Sequence, residues 1–135
     1  MKRLSLILIG CLMMAGTVAA EPVDDAVSAA EKWLALVDMG QYQLSWNEAA
    51  AYFKGAVTGE QWVGSLQGIR TPLGSLVSRA RQSADPVAQL PGAPDGNYVV
   101  IQFKTSFSNK SDAVETVTPM READGSWRVA GYYIR

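Results

Sequence analysis

Three segments near the end of the chain decide its fold: NYVVIQFKTSFS (Asn97–Ser108), AVETVTPMRE (Ala113–Glu122) and SWRVAGYYIR (Ser126–Arg135). β-Branched and aromatic residues are frequent in all three, and turn-forming residues separate them, which is typical of consecutive antiparallel strands. Asp124-Gly125 lies between the last two segments and is a strong hairpin signal. The sequence therefore predicts a three-stranded meander in this region.

Side chains alternate between the two faces of a strand, so the predicted turns assign each residue to a face. With turns at Asp124-Gly125 and Asn109–Ser111, Val117 opposes both Phe103 and Tyr132, and Thr105 opposes Glu115. One face is then largely apolar, and we expect it to pack on the rest of the protein: Val99, Ile101, Phe103, Phe107, Val117, Ala130, Tyr132 and Ile134, together with Glu115.

The opposite face of the predicted sheet is mixed, and it has enough aromatic residues to meet a partner subunit or a peptide. Its members are Tyr98, Val100, Gln102, Lys104, Thr116, Thr118, Trp127, Val129 and Tyr133. Pro119 interrupts the third strand without an N–H to donate to the sheet. We therefore expect a β-bulge or a bend at this residue.

Upstream of these strands, apolar residues recur at helical spacing in three segments. The first helix begins near Pro22 with Val27, Ala30, Leu34 and Val37 on one face, and the second covers about Gln41–Lys54. The third begins at Thr58, where Thr58-Gly59-Glu60-Gln61 fits a capping box. Trp62, Leu66 and Ile69 are its predicted buried edge, whereas Gly64 and Gly68 weaken it.

A further strand is predicted at Gly74–Ser83, followed by an irregular connection, Asp85–Asn97, that contains three prolines. Such a long connection is either a functional flap or an ordinary loop. The order of elements predicts an α+β fold, in which three N-terminal helices pack on a curved four-stranded antiparallel meander sheet. Residues 21–135 form a single domain in this interpretation.

The first 20 residues look like a cleaved secretory signal. Lys2 and Arg3 precede the apolar run Leu4–Met14, and Val18-Ala19-Ala20 supplies the small residues of a cleavage site. The run is shorter than the ~20 residues of a membrane span. We expect an exported protein, periplasmic or secreted; the alternative is a lipobox at Leu8–Cys11, which would make Cys11 a lipid anchor.

Composition removes several chemistries from the mature chain. There is no histidine, and the single cysteine, Cys11, lies in the leader. Triads with histidine, cysteine nucleophiles, disulfides and histidine-type zinc sites are therefore excluded, and we expect no cofactor and no metal. The 12 basic and 13 acidic residues form no basic stripe, which argues against nucleic-acid binding.

Four residues are candidates for ligand binding: Trp46, Gln102, Glu115 and Tyr132. Glu115 on the apolar face is either a desolvated carboxylate suited to acid–base chemistry or the partner of Arg79 or Arg81 in an ion pair. Gln102 either binds a ligand or links strands. Trp46, with Trp62 and Tyr42, either lines a cavity or belongs to the core.

Many short motifs together resemble the bacterial "domain of unknown function 4019" family, over nearly all of the mature chain: Trp33–Asp38, Ser45-Trp46, Thr58–Trp62, Pro72–Gly74, Ser78-Arg79, Leu90–Gly96, Tyr98–Phe103, Glu115–Pro119 and Trp127–Ile134. That family carries no established activity. At the level of fold alone, helices followed by a sheet that ends in Asp-Gly-Ser-Trp-Arg-Val resemble the nuclear-transport-factor-2-like cone. This resemblance implies a pocket between helices and sheet and a homodimer through the sheet.

Three functions remain open from the sequence. The first is a non-catalytic exported module that binds a small apolar ligand or a protein partner. The second is a cofactor-free isomerase, dehydratase or hydrolase with Glu115 as base and Tyr132 or Gln102 as oxyanion donor. The third is a structural homodimer module.

Overall fold

The computed structural model describes residues 22–135, so the predicted leader and Cys11 lie outside the described residues. The elements follow one another as α1 (Pro22–Asp38), α2 (Tyr42–Asn47), α3 (Ala51–Ala56), α4 (Gly59–Leu73), β1 (Leu76–Val87), β2 (Tyr98–Phe107), β3 (Lys110–Arg121) and β4 (Trp127–Ile134). Within these residues no helix combines the length and apolar character needed to cross a membrane.

The four strands form one antiparallel sheet in the order β1-β2-β3-β4, which confirms the α+β class and the meander. The predicted count of three helices is wrong, because the second predicted helix is broken into α2 and α3. Ala50 is extended at the break, and its N–H donates to the carbonyl of Val129 in β4 at 2.8 Å instead of continuing the helix. Contact with the sheet therefore overrides local helical spacing here.

The register between β2 and β3 differs from the predicted one by two residues. Phe103 pairs with Glu115, and Ile101 pairs with Val117, because β3 begins at Lys110 after a turn tighter than expected. An even offset leaves the side chains of β2 and β3 on their predicted faces. Val117 opposes Tyr132, as the hairpin pattern predicted.

A register shift between Thr118 and Pro119 confirms the predicted irregularity in β3. Pro119 pairs with Val129 rather than Ala130, so the alternation along β4 changes at this point. As a result Val129 is 2 % exposed and belongs to the core, while Ala130, the predicted core residue, does not. The face assignment of Trp127, Val129 and Ala130 from simple alternation was wrong, since Trp127 also packs against the core.

The apolar face of the sheet packs on the helices, as predicted. Val99, Ile101, Phe103 and Val117 join the buried residues of α1 in one core cluster. Aromatic rings are packed within this core: Trp33 lies 5.2 Å from Tyr132 and 6.1 Å from Trp62, and Phe53 lies 4.8 Å from Trp62, measured between ring centres. Most of the space between helices and sheet is therefore filled.

Helix α4 begins with the predicted capping box, in which Thr58 and Gln61 exchange hydrogen bonds between side chain and backbone. Its buried edge is not the predicted one. Ile69 is 47 % exposed, and Arg70 is buried instead, four residues after Leu66 and eight after Trp62. The i, i+4 spacing places Arg70 on the same helical face as these two side chains.

Strand β1 is longer than predicted, so the connection to β2 covers only residues 88–97. This loop is attached to its surroundings at several points. The N–H of Gly96 donates to the carbonyl of Ala88 at 3.0 Å, and the hydroxyl of Tyr52 donates to the carbonyl of Gly92 at 2.7 Å. The first bond closes the loop on itself, and the second attaches the loop to α3.

Candidate functional site

Glu115 is fully buried on the inner face of β3, where three side chains donate hydrogen bonds to its carboxylate. Arg79 of β1 donates from Nε at 2.7 Å and from Nη2 at 3.2 Å. The Thr105 hydroxyl donates at 2.6 Å, and the Tyr132 hydroxyl donates to the second carboxylate oxygen. The ion pair with Arg79 is one of the two interpretations that the sequence left open.

A second carboxylate, that of Asp38 at the end of α1, extends this arrangement. It accepts bonds from Arg79 at 2.8 and 3.0 Å and from Arg70 of α4 at 2.9 Å. We call Asp38, Arg70, Arg79 and Glu115, with Thr105 and Tyr132, the buried polar cluster. Its two cations and two anions come from four different elements.

The charges of the buried polar cluster shift the protonation of its members. Burial alone would raise the pKa of Asp38, but hydrogen bonds and charge from Arg79 and Arg70 outweigh it and lower that pKa. Burial would lower the pKa of Arg79, but its bonds to Asp38 and Glu115 raise it. Burial, followed by the Glu115 charge and hydrogen bond, raises the pKa of Tyr132, so its hydroxyl stays neutral.

Arg70 is held differently from Arg79. Only its Nη2 bonds to Asp38, and its Nε and Nη1 make no hydrogen bond with another described residue. Its guanidinium carbon lies 4.8 Å from the centre of the Phe107 ring. This cation–π contact partly compensates for the hydrogen bonds that Nε and Nη1 do not make.

Of the four predicted ligand-binding residues, the structure brings only Glu115 and Tyr132 together. Trp46 lies on α2, where its Nε1 donates to the carbonyl of Val57 at 2.7 Å and its ring packs against the core. Gln102 lies between Ile101 and Phe103 in β2, so its side chain is on the opposite face of the sheet.

A cleft of about 680 Å³ opens between α1, the end of α2 and the β3–β4 hairpin. We call it the hairpin cleft. Trp33, Leu36, Leu44, Trp127 and Val129 supply its apolar lining, and charged side chains of both signs complete it: Asp25, Lys32, Glu48 and Arg128. Arg128 and Glu48 approach each other to 3.5 Å across one side.

A smaller cleft of about 370 Å³ lies where the start of α1 meets the ends of all four strands. We call it the strand-end cleft. Its lining is mostly apolar, with Arg121 and Asn97 as the polar exceptions: Pro22, Val23, Pro86, Val87, Ala88, Asn97, Tyr98, Val99, Arg121 and Trp127. None of the four predicted residues lines either cleft, whereas Trp127 lines both.

The buried polar cluster is chemically closed. The carboxylate of Glu115 has no exposed surface and already accepts hydrogen bonds from three side chains. It is therefore not placed to accept a proton from a substrate. No group of three or more metal-ligating side chains occurs between residues 22 and 135. The geometry assigns these residues to holding helices and sheet together.

The chain belongs to the family described as protein of unknown function (DUF4019), whose family model matches residues 29–132. This match confirms the resemblance of its sequence motifs. No curated protein matches the chain. No solved structure matches it either.

Sequence reasoning did not identify Arg70 as part of the site or assign the clefts. Arg70 could have been found from the spacing Trp62-Leu66-Arg70, which places it on the buried face of α4. The two clefts had no such signal, since their walls come from elements far apart in the chain.

Proposed function

We propose that this protein is a non-catalytic exported module that holds a small, largely apolar ligand in the hairpin cleft. The observation that carries the proposal is the cleft itself, which has about 680 Å³ of space beside a packed core. That volume falls within the range of small-molecule sites, ~300–1,000 Å³.

The lining of the hairpin cleft supports an apolar ligand. Trp33 and Val129 are buried, while Leu44 is 40 % exposed and Trp127 is partly buried. A ligand that covers Leu44 and the Trp127 indole removes apolar surface from water, which contributes about 25 cal/mol per Å². The charged side chains at the margin include both signs, so they orient polar ends of a ligand without requiring a net charge.

The contacts of Glu115 favour binding over catalysis. A general base needs a free lone pair within reach of substrate, but the Glu115 carboxylate accepts from Arg79, Thr105 and Tyr132. The Tyr132 hydroxyl is engaged with the same carboxylate and is therefore not offered to a developing oxyanion. The cofactor-free enzyme stays the weaker alternative.

Binding of N-phenyl-1-naphthylamine, a neutral apolar fluorophore, tests the proposal on the full chain. We expect saturable binding to the wild type and at least tenfold weaker binding to Ser28→Trp, which places an indole in the cleft. Ser65→Trp is the matched control, because Ser65 is also an exposed helical serine but lines neither cleft. Absence of saturable binding, or equal loss in both variants, would contradict the proposal.

Export is tested separately by the intact mass of the protein recovered from a periplasmic fraction. Cleavage after Ala20 predicts a chain that begins at Glu21, whereas lipidation predicts a membrane-bound chain that begins at a modified Cys11. A cytoplasmic chain that retains Met1–Ala20 would contradict export.

A further inference from the structure

We propose that the strand-end cleft is a second binding site, and that its ligand is a small monocarboxylate with an apolar body. The site is separate from the hairpin cleft and extends the proposed function rather than depending on it. Its volume of about 370 Å³ lies in the lower part of the range for small-molecule sites.

The strand-end cleft has charge of one sign only, which is positive. Arg121 is its single charged lining residue, and no acidic side chain is among the described residues that line it. The Arg121 side chain makes no hydrogen bond or ion pair with another residue in the range 22–135, in contrast to Arg70, Arg79 and Arg128. Arg121 is an exposed residue at the margin of this cleft, and its guanidinium is complementary to a carboxylate, because its fork geometry matches two carboxylate oxygens.

The apolar part of the ligand is specified by the remaining walls. Val23 and Pro22 come from α1, Pro86, Val87 and Ala88 come from β1 and the residue after it, and Trp127 closes the side toward the hairpin cleft. These side chains offer no hydrogen-bonding group apart from the Trp127 indole N–H. The Asn97 amide is the second polar group of the cleft, and it can donate to the same carboxylate as Arg121.

Backbone hydrogen bonds hold the walls of the strand-end cleft in place. The N–H of Arg121 donates to the carbonyl of Asn97 at 2.9 Å, and the N–H of Gly96 donates to the carbonyl of Ala88 at 3.0 Å. The Tyr98 hydroxyl donates to the carbonyl of Pro94. The rim that carries Asn97 and Ala88 is thus preformed, which lowers the ordering cost of binding.

Decanoate and its neutral counterpart decan-1-ol are the probes for this site, with binding to the full chain measured by calorimetry. We expect one saturable decanoate site and about tenfold weaker binding of decan-1-ol, the size of effect that loss of one charge-assisted contact gives. Arg121→Gln should weaken decanoate binding by a similar factor and leave decan-1-ol unchanged. Arg81→Gln, an exposed arginine outside both clefts, is the control.

A second pair of variants tests the position of the apolar body. Ala88→Trp fills the strand-end cleft and should abolish the decanoate binding that Arg121→Gln weakens, whereas Ala80→Trp, at an exposed β1 position outside the clefts, should not. Absence of saturable decanoate binding to the wild type overturns the inference. Equal weakening by Arg121→Gln and Arg81→Gln, or full decanoate binding by Ala88→Trp, overturns it as well.

The Ser28→Trp variant separates this inference from the proposed function. If the two clefts are distinct sites, Ser28→Trp loses N-phenyl-1-naphthylamine but keeps decanoate. Loss of decanoate in that variant would assign the carboxylate to the hairpin cleft and contradict a second site. Retention of decanoate by a wild type that does not bind the neutral fluorophore would contradict the proposed function alone.

Discussion

Glu115 shows how a carboxylate is tolerated among apolar side chains. An isolated buried charge is strongly unfavourable, but this one has a cation and two hydroxyl donors within hydrogen-bond distance. The nearest cation, Arg79, is in turn shared with Asp38. Each charge in the cluster is therefore compensated by a group from another element, and removal of one leaves a partner without compensation.

Glu115→Gln should lower the free energy of unfolding by about 3–5 kcal/mol, because it leaves Arg79 buried with half of its compensating charge. Urea unfolding followed by tryptophan fluorescence measures the loss. Glu31→Gln, an exposed position on α1, should change stability by no more than ~0.5 kcal/mol. A loss below ~1 kcal/mol in Glu115→Gln would mean that the cluster does not contribute to stability as its contacts indicate.

Asp38 should make stability fall in acid. Its pKa in the folded protein lies below the ordinary value of 3.8, so its contribution is complete above pH 3.8 and is lost as the pH falls through the lower folded pKa. Urea midpoints measured from pH 6 downward should drop more steeply for the wild type than for Asp38→Asn. Asp24→Asn, an exposed α1 control, should follow the wild type; parallel curves for all three proteins would contradict the assignment.

At the residue scale the sequence predicted side-chain positions correctly where strand alternation alone decided them. Alternation placed Glu115 on the inner face, and the choice between a free carboxylate and a pair with Arg79 followed from the structure. Arg70 escaped notice because arginine is usually exposed, and its burial depends on Asp38 and Phe107, which arrive from other elements. Side-chain partners over such distances cannot be read from local spacing.

At the scale of elements, the end of α4 requires glycine. Gly74 has φ 78° and ψ −153°, and a Cβ built there would lie 2.0 Å from the Ser108 hydroxyl oxygen. That backbone region is essentially restricted to glycine. Within the same helix Gly68 has the helical conformation, and a Cβ built there meets no atom within 4 Å.

These two glycines should respond to alanine with opposite signs. Gly74→Ala should destabilise the protein by about 1–3 kcal/mol through backbone strain and the contact with Ser108. Gly68→Ala should stabilise it by about 0.5–1 kcal/mol, because alanine favours the helix and no neighbour opposes the added methyl group. Thermal unfolding of both variants measures the difference, and a shift of the same sign in both would contradict this account of the helix end.

Helices and strands were predicted well where local pattern and tertiary contact agree. The capping box at Thr58 and the Asp124-Gly125 hairpin act within a few residues, so the sequence contains the whole signal. The break between α2 and α3 depends instead on a bond from Ala50 to Val129, some eighty residues away. The bulge at Pro119 was expected, but which β4 residue it would leave facing the core was not determined by the pattern.

For the whole molecule, the titration behaviour predicts stability that is nearly independent of pH around neutrality. The chain has no histidine. In the buried polar cluster the pKa of Asp38 is lowered and the pKa of Tyr132 is raised, so both values lie further from neutrality than the ordinary ones. Between about pH 5 and 9 the free energy of unfolding should therefore vary by no more than ~1 kcal/mol. Urea midpoints across this range test the prediction.

Above pH 10.0 the stability should decline. Tyr132 has a folded pKa above its ordinary value of 10.0, so its contribution is present below that value and is lost as the pH rises through the folded pKa. Tyr132→Phe should remove part of this decline, while Tyr133→Phe, at an exposed neighbour, should not. A pronounced stability maximum near pH 7 would contradict the near independence of pH expected around neutrality.

The architecture as a whole was accessible from the sequence, whereas the clefts were not. Hydrophobic periodicity and turn residues sufficed for helices followed by a meander sheet. The implied pocket between helices and sheet corresponds to the hairpin cleft at their margin, because Trp33, Trp62 and Phe53 fill the interior. Open space appeared instead at the margins, where Trp127 separates two depressions whose walls no local motif describes.

The four charges of the buried polar cluster sum to zero, and each is supplied by a different helix or strand. Substitution of any one of these residues alone would leave a buried charge without its partner of opposite sign. Related sequences are thus expected to keep or exchange Asp38, Arg70, Arg79 and Glu115 as a set. In evolutionary terms we expect the four codons to change together or not at all.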